Sequence, residues 1–205
     1  MIARRFTLFI LLLSLPFCSP IRHPVVPGEA RAPGAIYHSL KIKVNLKEMA
    51  TGRKQGFKIL LKFTETKARM LFLGPPLNKV YARLITDGES ALLINAKKKK
   101  YWQGDFKILL REMWDVNFDY SEFKRLLVDG IIPRKKAKKS NLKVLVEVDQ
   151  ENGKPVKIEI SGRDSFIILK ISNRRTVNGT VVFSTNLKNS RKTATLADLL
   201  ENDCP

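Results

Sequence analysis

Residues 40–47 read Leu-Lys-Ile-Lys-Val-Asn-Leu-Lys. Apolar and polar side chains alternate without a break. Leu40, Ile42, Val44 and Leu46 therefore fall on one face of an extended chain, and Lys41, Lys43, Asn45 and Lys47 on the other. That is a half-buried strand, one face on a core and one in water, as antiparallel sheets produce. The rhythm returns at Phe57, Ile59, Leu61 and Phe63, after a turn containing Gly52. Residues 70–73 predict a third strand ending at Gly74-Pro75-Pro76. Val80, Ala82 and Leu84 start a fourth, closed by the turn pair Asp87-Gly88. Residues 91–95 and 101–103 give a fifth and a sixth.

The period then changes. Phe106, Leu109, Leu110 and Met113 follow helical spacing, with Asp105 placed to cap the first turn. Asp119 with Glu122 three residues on predicts a capping box for a second short helix. Its apolar face is Phe123, Leu126 and Leu127, and Gly130 ends it. A basic loop, residues 133–140, follows. Leu142, Val144, Val146 and Val148 alternate again, Asn152-Gly153 marks a hairpin, and Val156, Ile158 and Ile160 pair back. Residues 166–171 and 177–184 predict two further strands. Thr195 and Asp198, with Leu199 and Leu200, suggest a last helical turn. The pattern is nine or ten consecutive antiparallel strands with two helices after the sixth. Such a meander must curl to hide its apolar face. The expected fold is mainly β (α+β), a curved incomplete antiparallel barrel with two short helices as a lid. The folded domain spans residues 35–185, and residues 186–205 form a C-terminal tail.

The chain has 205 residues and a net charge of +19. That excess asks for an anionic partner: nucleic acid, phospholipid or an acidic protein. The N-terminus decides among them. Arg4 and Arg5 precede the apolar run Phe-Thr-Leu-Phe-Ile-Leu-Leu-Leu-Ser-Leu-Pro-Phe of residues 6–17. A basic start and a short apolar run form an export signal, residues 1–17. A simple N-terminal membrane anchor is the alternative, although a span needs about 20 apolar residues. Leu15-Pro16-Phe17-Cys18 resembles a lipobox, making Cys18 the candidate for lipidation; an incidental thiol is the plainer reading. Residues 18–34, with four prolines, form a stiff tether. Export places the protein away from nucleic acid and close to anionic head groups.

Chemistry-bearing motifs are sparse. The two cysteines, Cys18 and Cys204, form no Cys-x-x-Cys pair, and the two histidines, His23 and His38, do not build a zinc site. No phosphate loop, nucleophile elbow or His-Glu-x-x-His occurs. Asp105, Glu112, Asp115 and Asp119 could in principle do acid–base work, but caps and solvated helix faces account for them. The expectation is a protein without enzymatic activity, metal or resident cofactor.

The stretch from Arg69 to Pro133 carries a resemblance. Its order is strand, Pro-Leu loop, strand, Asp-Gly turn, strand, aromatic strand, helix, and a helix ending at Leu126, Leu127, Gly130 and Pro133. It resembles the bacterial outer-membrane lipoprotein receptor and carrier family, LolB-like and more distantly LolA-like. The resemblance implies a curved incomplete barrel lidded by helices. It implies a cavity for the acyl chains of lipoproteins, and delivery of that cargo to the outer membrane. It further implies a leucine on a protruding loop that assists membrane insertion; here the match is Leu77, with Pro75 and Pro76 stiffening its loop.

Two functions follow. The first is a monomeric, lipid-anchored protein on the periplasmic side of the outer membrane. It would receive acylated lipoproteins, with a periplasmic carrier as a possible partner. Its acyl cavity would be lined by Leu40, Ile42, Val44, Phe57, Ile59, Phe63, Met70, Phe72, Leu84, Leu109, Met113, Phe123 and Leu127. Filling of a solid core by the same residues is the alternative. The second is a basic lipoprotein of the same fold that binds a membrane surface or an envelope polymer without cargo. Lys97, Lys98, Lys99, Lys100, Arg134, Lys135, Lys136, Lys138 and Lys139 would be its contacts. Lysines such as Lys41, Lys43, Lys58 and Lys62 read simply as the wet faces of strands.

Overall fold

Short turns connect β1 (Ile36–Glu48), β2 (Lys54–Phe63), β3 (Ala68–Gly74), β4 (Lys79–Thr86), β5 (Ser90–Asn95) and β6 (Lys100–Asp105) into a meander. Two helices follow, α1 (Phe106–Trp114) and α2 (Tyr120–Asp129). Strands resume with β7 (Lys143–Val148), β8 (Pro155–Ser161), β9 (Ser165–Asn178) and the two-residue β10 (Arg191–Lys192). The computed structural model describes residues 36–75, 77–133, 137–138, 141–179, 190–193, 195–196 and 199. The export segment, Cys18, the tether, Pro76, Arg134, Lys135, Lys136, Lys139 and Cys204 lie outside them. None of the described helices is long and apolar enough to cross a membrane.

The ten strands among the described residues form one sheet in the order β10-β6-β5-β4-β3-β2-β1-β9-β8-β7. β1 is the pivot: Val44 pairs with Phe57 on one side and with Leu169 on the other. The two ends of the order, β7 and β10, do not pair, so the sheet stays open. The protein is thus an incomplete, mainly antiparallel β-barrel with two helices against its inner face.

Capping shapes the helices as their sequence predicts. The Asp105 carboxylate accepts from the Ile108 N–H at 3.0 Å. Asp119 and Glu122 complete a capping box, at 2.9 and 3.0 Å. Gly130 ends α2 at φ 70°, a left-handed conformation that glycine adopts without penalty. Asp115 ends α1 in the same region, at φ 57°. Between the helices, Val116 and Phe118 are fully buried.

Alternation along the strands sorts the two sheet faces. Leu40, Ile42, Val44, Ile59, Leu61, Phe63, Met70, Phe72, Leu84 and Leu93 are buried on the inner face. Phe106, Leu109 and Leu110 from α1 and Phe123, Leu126 and Leu127 from α2 pack onto them. The Phe106 ring meets Tyr120 edge-on at 5.7 Å and leans on Phe123 at 6.1 Å. Tyr120 in turn donates its hydroxyl to the Lys67 carbonyl at 3.1 Å, and its burial, with Glu65 nearby, pushes the phenol pKa upward.

Three expectations need correction. The two strands expected at 166–171 and 177–184 are a single strand, β9, as far as Asn178; residues 180–184 lie outside the described residues. The polar run Ser172 to Arg175 reads as a break, but it is a bulge, with Asn173 at φ 50°. Pairing with β1 continues beyond it, Ile36 to Asn178. The strands are also not all antiparallel, because β10 runs parallel to β6. Finally, Val144, Val146 and Val148 do not form a buried face: Val148 is exposed and the other two are half-buried, as fits an edge strand. Of the expected last helical turn, Leu196 and Leu199 are buried; Asp198 and Leu200 lie outside the described residues.

Candidate functional site: an apolar cavity at one end of the sheet

Strand alternation puts the β1–β2, β3–β4 and β5–β6 turns at the same end of the sheet. A cavity of about 300 Å³ lies at that end, between the inner face and the C-terminal half of α1. Phe57, Phe72 and Tyr81 build one wall. Their ring centroids lie 6.0 to 6.3 Å apart, and Tyr81 stands edge-on to Phe57. Leu46, Ala82 and Leu93 continue the sheet side, Met113 and Trp114 supply the helix side, and Leu199 closes a flank. The polar lining is Arg53, Gln55, Asn95 and Glu112. Arg53, Glu112 and Tyr81 are exposed, Phe57 is half-buried and Phe72 is buried, so the cavity meets water along its charged residues and Tyr81 and is driest at Phe72.

A local irregularity places Tyr81. Phe72 pairs with Ala82, but Leu73 pairs with Val80, so Tyr81 is the extra residue of a bulge. A regular strand would have turned it to the outer face. Gly74 leaves room for the ring: a Cβ there would sit 3.3 Å from Tyr81 Cδ1. Asn95 is a second organiser. Its Oδ1 accepts from the backbone N–H groups of Lys97 and Lys98, at 3.1 and 3.0 Å, shaping the β5–β6 turn. Its Nδ2 donates to the Leu199 carbonyl at 3.2 Å, which ties the C-terminal segment to the cavity.

Of the residues expected to line a cavity, Phe57, Phe72 and Met113 do so. Phe63, Met70, Phe123 and Leu127 instead surround a second void of about 10 Å³, no larger than one water needs. Leu40, Ile42, Val44, Ile59, Leu84 and Leu109 line neither. They are fully buried, because the helices pack down onto this part of the sheet and fill it. Sequence reading missed most of the wall. Leu46 continues the alternation of Leu40 to Val44 and was within reach of it. Tyr81, Asn95 and Leu199 were not, since a bulge, a turn and a distant segment bring them in.

Leu77 stands 71% exposed at the β3–β4 turn, beside the exposed Pro75. It does not fold back onto the core. Asn78 next to it adopts φ 53°, and its Oδ1 accepts from Lys58 Nζ at 2.9 Å. Met49, 52% exposed, tips the β1–β2 turn at the same end. The Lys97–Lys100 run forms the β5–β6 turn there, with Lys99 at φ 52°. Lys138 is exposed on the far side of α2 in sequence. Among the described residues no group of three or more His, Cys, Asp or Glu could hold a metal.

No model of a known protein family matches the sequence, and no curated protein matches it. Solved structures that bear a distant likeness to the chain include two. One is a LolA superfamily protein from Nitrosomonas europaea, at 8% identity and a TM-score of 0.35, with 71% of this chain and 87% of that one covered. The other is a domain named for outer-membrane lipoprotein sorting, from Vibrio parahaemolyticus, at 10% identity and 0.34, with 69% and 85% covered. Likenesses this distant carry no functional argument, which rests on the cavity and its surroundings.

Proposed function

We propose that this protein is an exported, lipid-anchored carrier that shelters an acyl chain of a lipoprotein and helps deliver it to the outer membrane. One observation carries the reading: an apolar cavity of about 300 Å³ lies at the same end of the sheet as the exposed Leu77 turn. That volume is at the lower end of the range for ligand cavities and suits a single chain. The aromatic wall takes the methylenes, and Arg53 and Gln55 face the polar end of the ligand. Exposing a chain to water costs about 0.8 kcal/mol per CH₂, so it leaves the cavity only for another apolar site. Leu77 would enter the bilayer while the Lys97–Lys100 turn meets anionic head groups. The export signal and Cys18 support an anchor on the periplasmic side of the outer membrane. No chemical step is required, so the reading is of a monomeric carrier and not an enzyme. Acylated lipoproteins, and a periplasmic carrier that hands them over, are its partners.

The test uses the full chain and a fluorescent fatty-acyl probe. Binding should persist between about 0.05 and 1 M salt, because screening acts on exposed charges and not on apolar burial. Leu77→Glu should bind the probe as the wild type does but release it to vesicles more slowly. Binding that disappears with salt, or a Leu77→Glu variant that loses binding and transfer together, would sink the proposal.

A further inference from the structure

The outer face of the sheet holds a second feature, which neither the cavity nor the basic turns explain. In the strand register Lys157 on β8 stands opposite Lys170 on β9, and Lys170 opposite Lys43 on β1. Lys43 in turn stands opposite Lys58 on β2. Four lysines thus form one straight row across four neighbouring strands, at the strand spacing of roughly 4.8 Å. All four lie on the face away from the core, since their neighbours Ile42, Val44, Ile59, Ile158, Leu169 and Ile171 are buried.

Like charges directly opposite each other destabilise a sheet. A protein with no use for such a row would alternate it with carboxylates. Here that happens only at the β8 end, where Lys157 meets Glu159 at 2.8 Å and Glu147 at 3.7 Å. β2, β3, β4 and β9 contain no Asp or Glu at all. No described carboxylate pairs with Lys43, Lys58 or Lys170; Lys58 donates to Asn78 instead.

We infer that this row is a binding site for a linear phosphate-bearing polymer laid across the strands. Lysine binds phosphate as a compact point charge, and a row of such charges matches the repeating charges of a phosphate chain. The row crosses the outer face of the strands, and of its members Lys58 reaches the Leu77 turn through its bond to Asn78. A bilayer touching the Leu77 end would leave Lys43, Lys157 and Lys170 free, and a thin chain can follow the curve of the sheet where a flat membrane cannot. The site is distinct from the Lys97–Lys100 turn and does not depend on the carrier reading.

The experiment measures binding of the full chain to long-chain inorganic polyphosphate across a salt series. It compares Lys43→Gln/Lys58→Gln/Lys170→Gln with Lys97→Gln/Lys98→Gln/Lys99→Gln. The double variant Lys43→Gln/Lys170→Gln covers the event that loss of the Lys58–Asn78 bond disturbs the triple. The row variant should bind at least tenfold more weakly, and its log–log salt slope should fall by roughly two, at ~0.7 per neutralised phosphate of a single strand. Its melting temperature should hold or rise, and its uptake of a fatty-acyl probe should not change. The turn variant should keep its polymer affinity. Unchanged affinity in both row variants, an equal loss in the turn variant, or binding to phosphatidylglycerol vesicles without polymer binding would each overturn the site.

Discussion

Single side chains explain how the turns between the strands hold their shape. Asp87 is the clearest case. Its carboxylate accepts from the Ser90 N–H at 2.8 Å, the Ser90 hydroxyl at 2.9 Å and the Glu89 N–H at 3.1 Å. The Ser90 bonds hold its pKa below the ordinary aspartate value. A depressed carboxylate contributes stability that is present above the unfolded pKa of about 3.9 and lost as pH falls through the folded value. Asp87→Ala should therefore cost about 1 kcal/mol at pH 7, a figure that allows for its exposure to solvent. The difference from wild type should shrink below about pH 4 in chemical denaturation. The Asp87-Gly88 pair was legible as a turn, and so were the caps Asp105, Asp119 and Glu122. Each of these acts within three residues of itself, where the sequence alone holds the geometry. Tyr81 was not legible, because its inward position depends on a bulge set by its partner strand.

Elements meet through fewer, longer-range contacts. α2 is held to the sheet by the apolar face of Phe123, Leu126 and Leu127, and also by Arg174 within the β9 bulge. Arg174 Nη2 donates to the carbonyls of Leu127 at 3.0 Å and Pro155 at 2.9 Å. One guanidinium thereby joins the end of α2 to the start of β8. Burial lowers its pKa, with Asp129 acting in the opposite direction. Arg174→Met keeps much of the side chain's bulk but removes both bonds, and should cost about 2 kcal/mol in urea unfolding. A loss below about 0.5 kcal/mol would mean that apolar packing alone seats the helix. Helix positions and apolar faces could be read from periodicity. The way the helices dock could not. Hence the packed residues Leu40 and Leu109 looked as suitable for a cavity wall as Phe57 and Met113, which do line it.

Over the whole molecule the net charge of +19 acts as self-repulsion. The lysine row concentrates that repulsion on one face, and screening relieves it within a Debye length of about 10 Å at 0.1 M salt. The melting temperature should therefore rise between 0.02 and about 0.5 M sodium chloride. A fall would show that attractive pairs such as Lys124–Glu65, at 2.6 Å, dominate instead. The overall architecture was readable because strand alternation, turn residues and helix caps agree with one another. The row was not. Lys43, Lys58, Lys157 and Lys170 are scattered along the chain, and only the register brings them into line.

An open sheet also has borders, and the two are treated differently. At one, β10 lies along β6. Arg191 donates its N–H to the Lys99 carbonyl and Thr193 to that of Tyr101, both at 2.9 Å. Those backbone groups are thereby occupied and cannot serve as a template on which a strand from another copy could grow. At the other border, β7 leaves Leu145 exposed between Lys143 and Glu147 and Val148 exposed after Glu147, and charge keeps neighbours away where pairing does not. The short segment after residue 190 thus acts as a guard on solubility, out of proportion to the two residues it adds to the sheet.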